Sequence, residues 1–114
     1  MDHYHVWVNL KDTKKDLEFA ASVRQYLGHL QKGGLIEGFT LTRRKLGFGP
    51  RELGEFHITI TVRDLAHLDR AFTAAAARSG LVEDFHQRVY DAVVDFASAL
   101  ERDFPDSVRA PPKT

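Results

Sequence analysis

The chain has 114 residues, 43% of them hydrophobic and 28% charged, which suits a single globular domain with its own core. Its 16 Lys and Arg residues are balanced by 16 Asp and Glu, so no net charge attracts nucleic acid or anionic membranes. The absence of cysteine excludes disulfides, thiolate metal sites and a cysteine nucleophile. No signal peptide and no apolar run of about 18 residues is seen, so we expect a cytoplasmic protein without nucleic-acid or membrane partners.

The first predicted element is a strand over residues 3–10, in which apolar and polar side chains alternate. A strand between a core and water does not need two histidines and the only tryptophan on its polar side. That side is therefore expected to meet a partner or a cavity. The apolar row is Tyr4, Val6, Val8 and Leu10, and the second row is His3, His5, Trp7 and Asn9.

A helix is predicted next. Thr13 with Asp16 has the spacing of a capping box, Asp12 is a competing cap, and Gly33 with Gly34 ends the helix. His29, near the C-terminal end, would suit the helix dipole if protonated. The predicted apolar stripe is Leu17, Ala20, Val23, Leu27 and Leu30, with Phe19 and Tyr26 at its edge.

Two further strands are predicted over residues 36–44 and 55–62. The segment 45–54 between them has three glycines and a proline, which predicts a loop. That loop lacks the lysine and hydroxyl of a phosphate-binding loop, so we expect a lip over a cleft or a dimer contact. The polar rows of the two strands are Thr40, Thr42 and Arg44, and His57, Thr59 and Thr61.

Asp64 is predicted to cap a second helix that ends at Gly80, with Leu65, Leu68, Phe72 and Ala75 as its stripe. Residues 81–101 fit both helical and strand periodicity, and we predict a short helix over 81–92 and a strand over 93–101. Asp64, His67 and His86 are predicted to lie on the surface. The domain is expected to span residues 1–106, followed by a frayed tail over 107–114.

The order of these elements predicts an α+β, ferredoxin-like domain. A right-handed crossover from the first strand to the second leaves room for the third, which gives the sheet order 4-1-3-2 with antiparallel neighbours. Both helices would cover the apolar face, so the opposite face has no helix over it. We expect that face to pair with a second copy through a two-fold axis, which would enclose a small lumen.

The pattern with GLIEGFTLTRRKLGFGPRELGEFHITITVRDL in its middle resembles the dimeric α/β-barrel superfamily, which includes stress-responsive barrel proteins and small monooxygenase-like enzymes. More narrowly, LTRRKLGFGPRELGEFH, LDRAF and RDFPD are similar to a small bacterial family of uncharacterised dimeric ferredoxin-like proteins. The similarity covers residues 3–106. It implies a homodimer that closes into an α/β barrel, and it implies no particular activity, because fold analogy does not supply function.

The candidate ligand site is a cleft on the helix-free side of the sheet. A register with Trp7 opposite Thr59 would separate His5 from His57 by roughly 13 Å, too far for one metal ion, so no metal and no cofactor are expected. Arg44 is a candidate for binding a carboxylate or phosphate. Two of the three basic residues 43–45 are expected to point to solvent or to pair with Glu52, Glu55 or Asp64. The residues of this cleft are His5, Trp7, Asn9, Thr42, Arg44, His57 and Thr59.

Two functions remain open from the sequence. The first is a homodimer that binds a small organic ligand in this cleft. If this homodimer is an enzyme, the superfamily resemblance implies cofactor-independent oxygenation or isomerisation, with a histidine as the base. The alternative is a non-catalytic structural or stress-response dimer in which Trp7 fills the lumen as interface packing. A lumen of about 300 Å³ or more would favour the ligand.

Overall fold

The computed structural model describes residues 1–76 and 80–105, with the backbone alone for residues 80–85. The tail predicted over 107–114 and residues 77–79 lie outside the described residues. The helix and strand predicted over 81–101 are both confirmed, but Gly80 begins the third helix instead of ending the second. In chain order the elements are β1 Asp2–Leu10, a 3-10 turn Thr13–Lys15, α1 Asp16–Lys32, β2 Gly38–Arg43, β3 Phe56–Val62, α2 Leu65–Ala76, α3 Gly80–Asp91 and β4 Val93–Arg102.

The four strands form one antiparallel sheet in the order β2-β3-β1-β4, as predicted. The register between β1 and β3 differs from the expected one by two residues, because Trp7 lies opposite His57 and not opposite Thr59. Alternation cannot detect such a shift, since a slip of two keeps every side chain on its face. A close backbone contact marks the observed register: a Cβ on Gly54, just before β3, would overlap the main chain of Val8.

The core lies between the helices and the apolar rows of the sheet. Phe19 of α1 is 2% exposed and meets Phe56 of β3 edge to face, whereas Leu17 is 83% exposed. The predicted stripe was therefore wrong at Leu17. At about 100° per residue, Phe19 lies about 40° around the helix from buried Val23, and Leu17 about 120° from it. The buried core comprises Val6, Val8, Leu10, Phe19, Val23, Leu27, Leu30, Ile36, Phe56, Ile58, Val62, Leu68 and Ala71.

The helix caps follow the expected chemistry in part. Asp12 is the cap before α1, because its side chain accepts a hydrogen bond from the main-chain N–H of Lys14 in the 3-10 turn. Asp64 caps α2, as predicted, by accepting from the N–H of His67 at 2.8 Å. Within residues 1–76 and 80–105, none of the helices is both long enough and apolar enough to cross a membrane.

The prediction that His67 lies on the surface is wrong, since this residue is only 1% exposed. Its Nε2 atom lies 2.8 Å from the main-chain oxygen of Gly34, and its Nδ1 atom accepts from the main-chain N–H of Arg63 at 3.1 Å. Because an imidazole that accepts at Nδ1 carries its proton on Nε2, His67 donates to Gly34. It is a fully bonded core residue that ties α2 to the turn after α1.

The corresponding prediction for His86 is also wrong. Its ring is half-buried on α3 and lies 5.5 Å from the ring of Tyr26 on α1. The third helix therefore packs against the first, and a helix-side layer of α1, α2 and α3 covers one side of the sheet. We call the other side the helix-free face.

Candidate functional site on the helix-free face

Alternating side chains from all four strands reach the helix-free face. The edge strand β4 places Ala97 opposite Trp7, Ala99 opposite His5 and Glu101 opposite His3. A β-bulge interrupts the pairing between Trp7 and Asn9 of β1, and Asp95 in β4 has a positive φ of 58° there. Small side chains on β4 thus flank the large rings of β1, and Glu101 joins the face as a residue that the sequence did not single out.

Three rings form the centre of this face, and we call His5, Trp7 and His57 the ring cluster. The ring centroids of Trp7 and His57 are 4.6 Å apart, with an interplanar angle of 8°. The ring centroid of His5 lies 5.0 Å from that of His57 and 5.6 Å from that of Trp7, with interplanar angles of 24° and 16°. All three side chains are half-buried although no helix covers them. The three ring planes are thus close to parallel, and together they form an aromatic layer at the middle of the sheet.

A hydrogen-bonded chain runs through the cluster. Nδ1 of His5 lies 2.8 Å from Nε2 of His57, and Nε2 of His5 lies 2.8 Å from a carboxylate oxygen of Glu101. The hydroxyl of Thr59 is 3.4 Å from the first histidine and 3.3 Å from the second. The expected separation of roughly 13 Å between the histidines is therefore wrong, and the two-residue change of register is the reason.

The environment of His57 favours its uncharged form. Burial lowers the pKa of His57 below its ordinary value of 6.5, and the charge of His5 lowers it further, while the charge of Glu101 acts in the opposite direction. Among the described residues, Nδ1 of His57 has no hydrogen-bond partner. Since the described part holds no buried side-chain nitrogen or oxygen without a partner, this atom reaches solvent.

A second histidine–carboxylate pair lies at the edge of the same face. Nε2 of His3 is 2.7 Å from a carboxylate oxygen of Asp103, and its Nδ1 is 3.2 Å from the hydroxyl of Thr61. Asp103 is also 3.5 Å from the N-terminal amino group. The hydrogen bond with His3 and the nearby amino group lower the pKa of Asp103. This pair joins the start of β1 to the segment that follows β4.

Asn9, one of the expected cleft residues, has a positioning role in the structure. Its side-chain oxygen accepts from the N–H of Glu55 at 2.9 Å, and its amide donates to Asp95 at 3.2 Å. Thr42 lies beside the cluster, and its hydroxyl donates to the main-chain oxygen of His57 at 3.4 Å. Both side chains are brought to the helix-free face, next to the ring cluster.

Arg44 reaches the same side but is engaged by the loop that follows it. One guanidinium nitrogen donates to the main-chain oxygens of Pro50 and Leu53, each at 2.8 Å. A Cβ on Gly49 would overlap this guanidinium, so the glycine makes room for it. The neighbouring Arg43 pairs with Glu55 at 2.8 Å, as one of the expected partners, and also with Asp16 at 3.1 Å.

The described part of the chain also shows how its metal-ligating side chains are arranged. There, no group of three or more His, Asp or Glu side chains is arranged to hold a metal ion. Both ring nitrogens of His5 already have partners at 2.8 Å. The cluster is therefore described by its hydrogen bonds between side chains.

A cavity of about 290 Å³ lies on the opposite side of the sheet, between the strands and the helices. Its walls are almost entirely apolar and include several rings. The sequence did not predict this cavity, because periodicity shows which side chains face the helices and not how completely they fill the space. The rings that line it include Tyr4, Tyr26, Phe72, His86 and Tyr90.

The sheet order, the antiparallel pairing and the one-sided helices define a ferredoxin-like α+β domain. The chain belongs to DUF6614, a family of unknown function whose match spans residues 1–112. A dimeric protein of unknown function and ferredoxin-like fold from Bacteroides fragilis has a similar structure, with a TM-score of 0.61 and 12% identity over 90% of this chain and 95% of that one. The expected resemblance to uncharacterised ferredoxin-like proteins is confirmed. Comparison with curated proteins finds no match.

Proposed function

We propose that this protein is a homodimer that pairs through the helix-free face and binds a small organic ligand there. The ring cluster carries the proposal, because two hydrogen-bonded imidazoles and an indole that stacks on one of them occupy a face without a helical cover. Tryptophan is enriched where a ring meets a partner surface. The Bacteroides fragilis protein of similar fold is described as dimeric, which supports the same assembly for this chain.

The chemistry of the face favours a flat, polar molecule. The ring cluster offers stacking, and Nδ1 of His57 is a solvent-reaching hydrogen-bond acceptor. Thr42, Thr59 and Asn9 add hydroxyl and amide groups around it, with Arg44 at the rim. If the ligand is a substrate, the resemblance to the dimeric α/β-barrel superfamily suggests isomerisation or cofactor-independent oxygenation by analogy, with a histidine as the base.

The dimer is tested by sedimentation equilibrium at micromolar concentration. We expect a mass of twice 12.9 kDa. Thr40→Arg places a charge on an exposed β2 position of the helix-free face and should give a monomer. Thr73→Arg, at an exposed position of α2, is the matched control and should stay dimeric. A wild-type monomer, or dissociation by the control alone, would contradict pairing through this face.

The ligand site is tested with a screen of small aromatic acids, read by thermal shift and by tryptophan emission. Trp7 is the only tryptophan, so its emission reports this face alone. A true ligand should change the emission and stabilise the wild type, and His57→Ala should weaken its binding at least about tenfold. His29→Ala, on α1, is the control and should bind normally. A dimer that binds none of the acids would favour the alternative, a non-catalytic dimer whose lumen Trp7 fills.

The cavity on the other side of the sheet supports a second candidate, a site for a small apolar ligand. Its volume of about 290 Å³ approaches the lower end of ligand pockets. A ligand held there should stabilise the His57→Ala variant as well as the wild type and leave Trp7 emission unchanged. Ala75→Phe, which introduces a ring at a residue lining the cavity, should then abolish binding.

A further inference from the structure

We propose that Glu101, His5 and His57 form a proton relay that makes Nδ1 of His57 the proton acceptor for a planar, weakly acidic ligand such as a phenol or an enol. The proposal rests on the proposed ligand site and names the chemical class that it would take. His57 contacts the ligand, whereas His5 and Glu101 are positioning residues that act through it.

The hydrogen-bond chain fixes the resting protonation state. An ionised carboxylate only accepts hydrogen bonds, so Nε2 of His5 carries a proton and donates to Glu101. A neutral His5 then has a lone pair on Nδ1, and Nε2 of His57 must donate to it across 2.8 Å. A neutral His57 with its proton on Nε2 has a lone pair on Nδ1, the atom that reaches solvent.

The transfer balances within these groups. The ligand O–H gives its proton to Nδ1 of His57, and the proton on Nε2 of His57 passes to Nδ1 of His5. His5 becomes an imidazolium beside the carboxylate of Glu101, His57 is again neutral with its proton on Nδ1, and the ligand is left as an anion. The charge therefore appears where a counter-ion is already in contact.

The groups around the relay are consistent with this assignment. From β1, His3 lies 6.5 Å from His5, ring to ring, and is itself bound to Asp103. From β3 and β2, Thr59 and Thr42 are the neighbours of His57 and carry no charge. Within the part of the chain that the structure describes, Glu101 of β4 is the carboxylate in contact with the relay, so it is the counter-ion for an imidazolium at His5. If His5 and His57 were both charged, they would repel each other across the 2.8 Å between their ring nitrogens. This pair therefore takes up one proton and not two.

The test that needs no ligand is nitrogen-15 NMR of the histidine rings. In the wild type at neutral pH we expect His57 to be protonated on Nε2 only. Glu101→Gln should shift the titration midpoint of the histidine pair downward, because the imidazolium loses its counter-ion. Asp103→Asn is the control, because it removes a similarly exposed carboxylate from His3, which lies outside the relay. In this variant the titration midpoint of His5 and His57 should stay in place. A proton on Nδ1 of His57, or equal shifts in both variants, overturns the relay.

The ligand step is tested with para-nitrophenol, whose phenolate absorbs visible light. We expect the bound phenol to be ionised to a greater extent than the free phenol at the same pH, and Glu101→Gln to reduce that gain at least severalfold. Binding without ionisation overturns the relay and leaves the proposed ligand site standing. If NMR shows the expected protonation of His57 but the phenol does not bind, the site does not take this ligand class. If the aromatic acids of the screen do not bind either, the proposed ligand-binding function is overturned.

Discussion

The two faces of the sheet are held together in different ways. On the helix-covered face, buried apolar side chains of β1 and β3 pack against those of α1 and α2, and this packing specifies the fold. On the helix-free face, side chains are bonded to one another through imidazoles, hydroxyls and carboxylates. The first arrangement relies on contact between apolar side chains and still leaves an apolar cavity of about 290 Å³, whereas the second leaves hydrogen-bond acceptors such as Nδ1 of His57 open to a partner.

Two histidines show the same contrast within one residue type. Both ring nitrogens of His67 have main-chain partners inside the helix-covered half, so its ring is a structural link. His57 has one ring nitrogen in a bond with another histidine and the other facing solvent. Burial with complete hydrogen bonding indicates a structural role, and partial bonding on an open face indicates a site.

The largest effect is expected from breaking the helix-covered face at its centre. Phe19→Ala removes a ring that is 2% exposed and in edge-to-face contact with Phe56, and should lower the free energy of unfolding by about 3–5 kcal/mol. Leu17→Ala, two residues earlier in the same helix and 83% exposed, should change it by about 0.5 kcal/mol or less. Urea denaturation measures both. Similar losses in the two variants would contradict the observed helix orientation.

The next effect compares the two histidines directly. His67→Leu keeps the bulk but leaves the carbonyl of Gly34 and the N–H of Arg63 without this partner, which should cost about 1–3 kcal/mol. His57→Leu should cost about 1 kcal/mol or less, since Thr59 lies close enough to donate to His5 in its place. The free energies of unfolding from urea denaturation decide, and a larger loss at His57 would reverse the assignment of roles.

A smaller effect is expected as a dependence of stability on pH. The pKa of His57 is lower in the folded protein than its ordinary value of 6.5, so between these values the unfolded chain binds more protons. Stability is therefore fully present above about pH 6.5 and falls as the pH falls toward the folded pKa. Urea midpoints should decrease from neutral pH to about pH 5, and His57→Gln should decrease less.

Asp103→Asn provides the control for that titration. The pKa of Asp103 is lowered from its ordinary value of 3.8, so its contribution is lost only at more acidic pH. The variant should keep the loss that begins near pH 6.5 and lack the one below pH 4. A wild-type midpoint that stays constant from neutral pH to about pH 5 would show that His57 does not titrate differently on folding.

The strand order followed from the order of the elements and the right-handed crossover, and the final strand was predicted although residues 81–101 also fit helical periodicity. Sequence periodicity predicted the two faces of the sheet, because they depend on which side chains alternate toward the core. It could not predict the register between β1 and β3, since slips of two residues preserve every face. The contact of Gly54 with Val8 and the bond from Glu55 to Asn9 mark that register, and both join residues far apart in sequence. The His5–His57 bond follows from it and was missed for that reason.

Glu101 and His67 were missed for a related reason. Each is a single polar residue whose partner lies on another element, and periodicity carries no information about such pairs. Glu101 could have been found by pairing the predicted last strand with the first, which brings its C-terminal residues beside His3 and His5. His67 depends on the turn at Gly34, whose φ of 74° helps to present a carbonyl to the second helix.

The smallest expected effect separates two adjacent arginines that lie on opposite sides of β2. Arg43 contacts the exposed carboxylates of Glu55 and Asp16, and such ion pairs are screened by salt. Arg44 donates to two neutral carbonyl oxygens, which salt screens far less. Arg43→Gln should therefore lower the urea midpoint slightly at low salt and not at high salt, whereas Arg44→Gln should lower it equally in both. If salt removes both losses, Arg44 forms an ion pair with a carboxylate in solution, and its bonds to the loop carbonyls do not hold it.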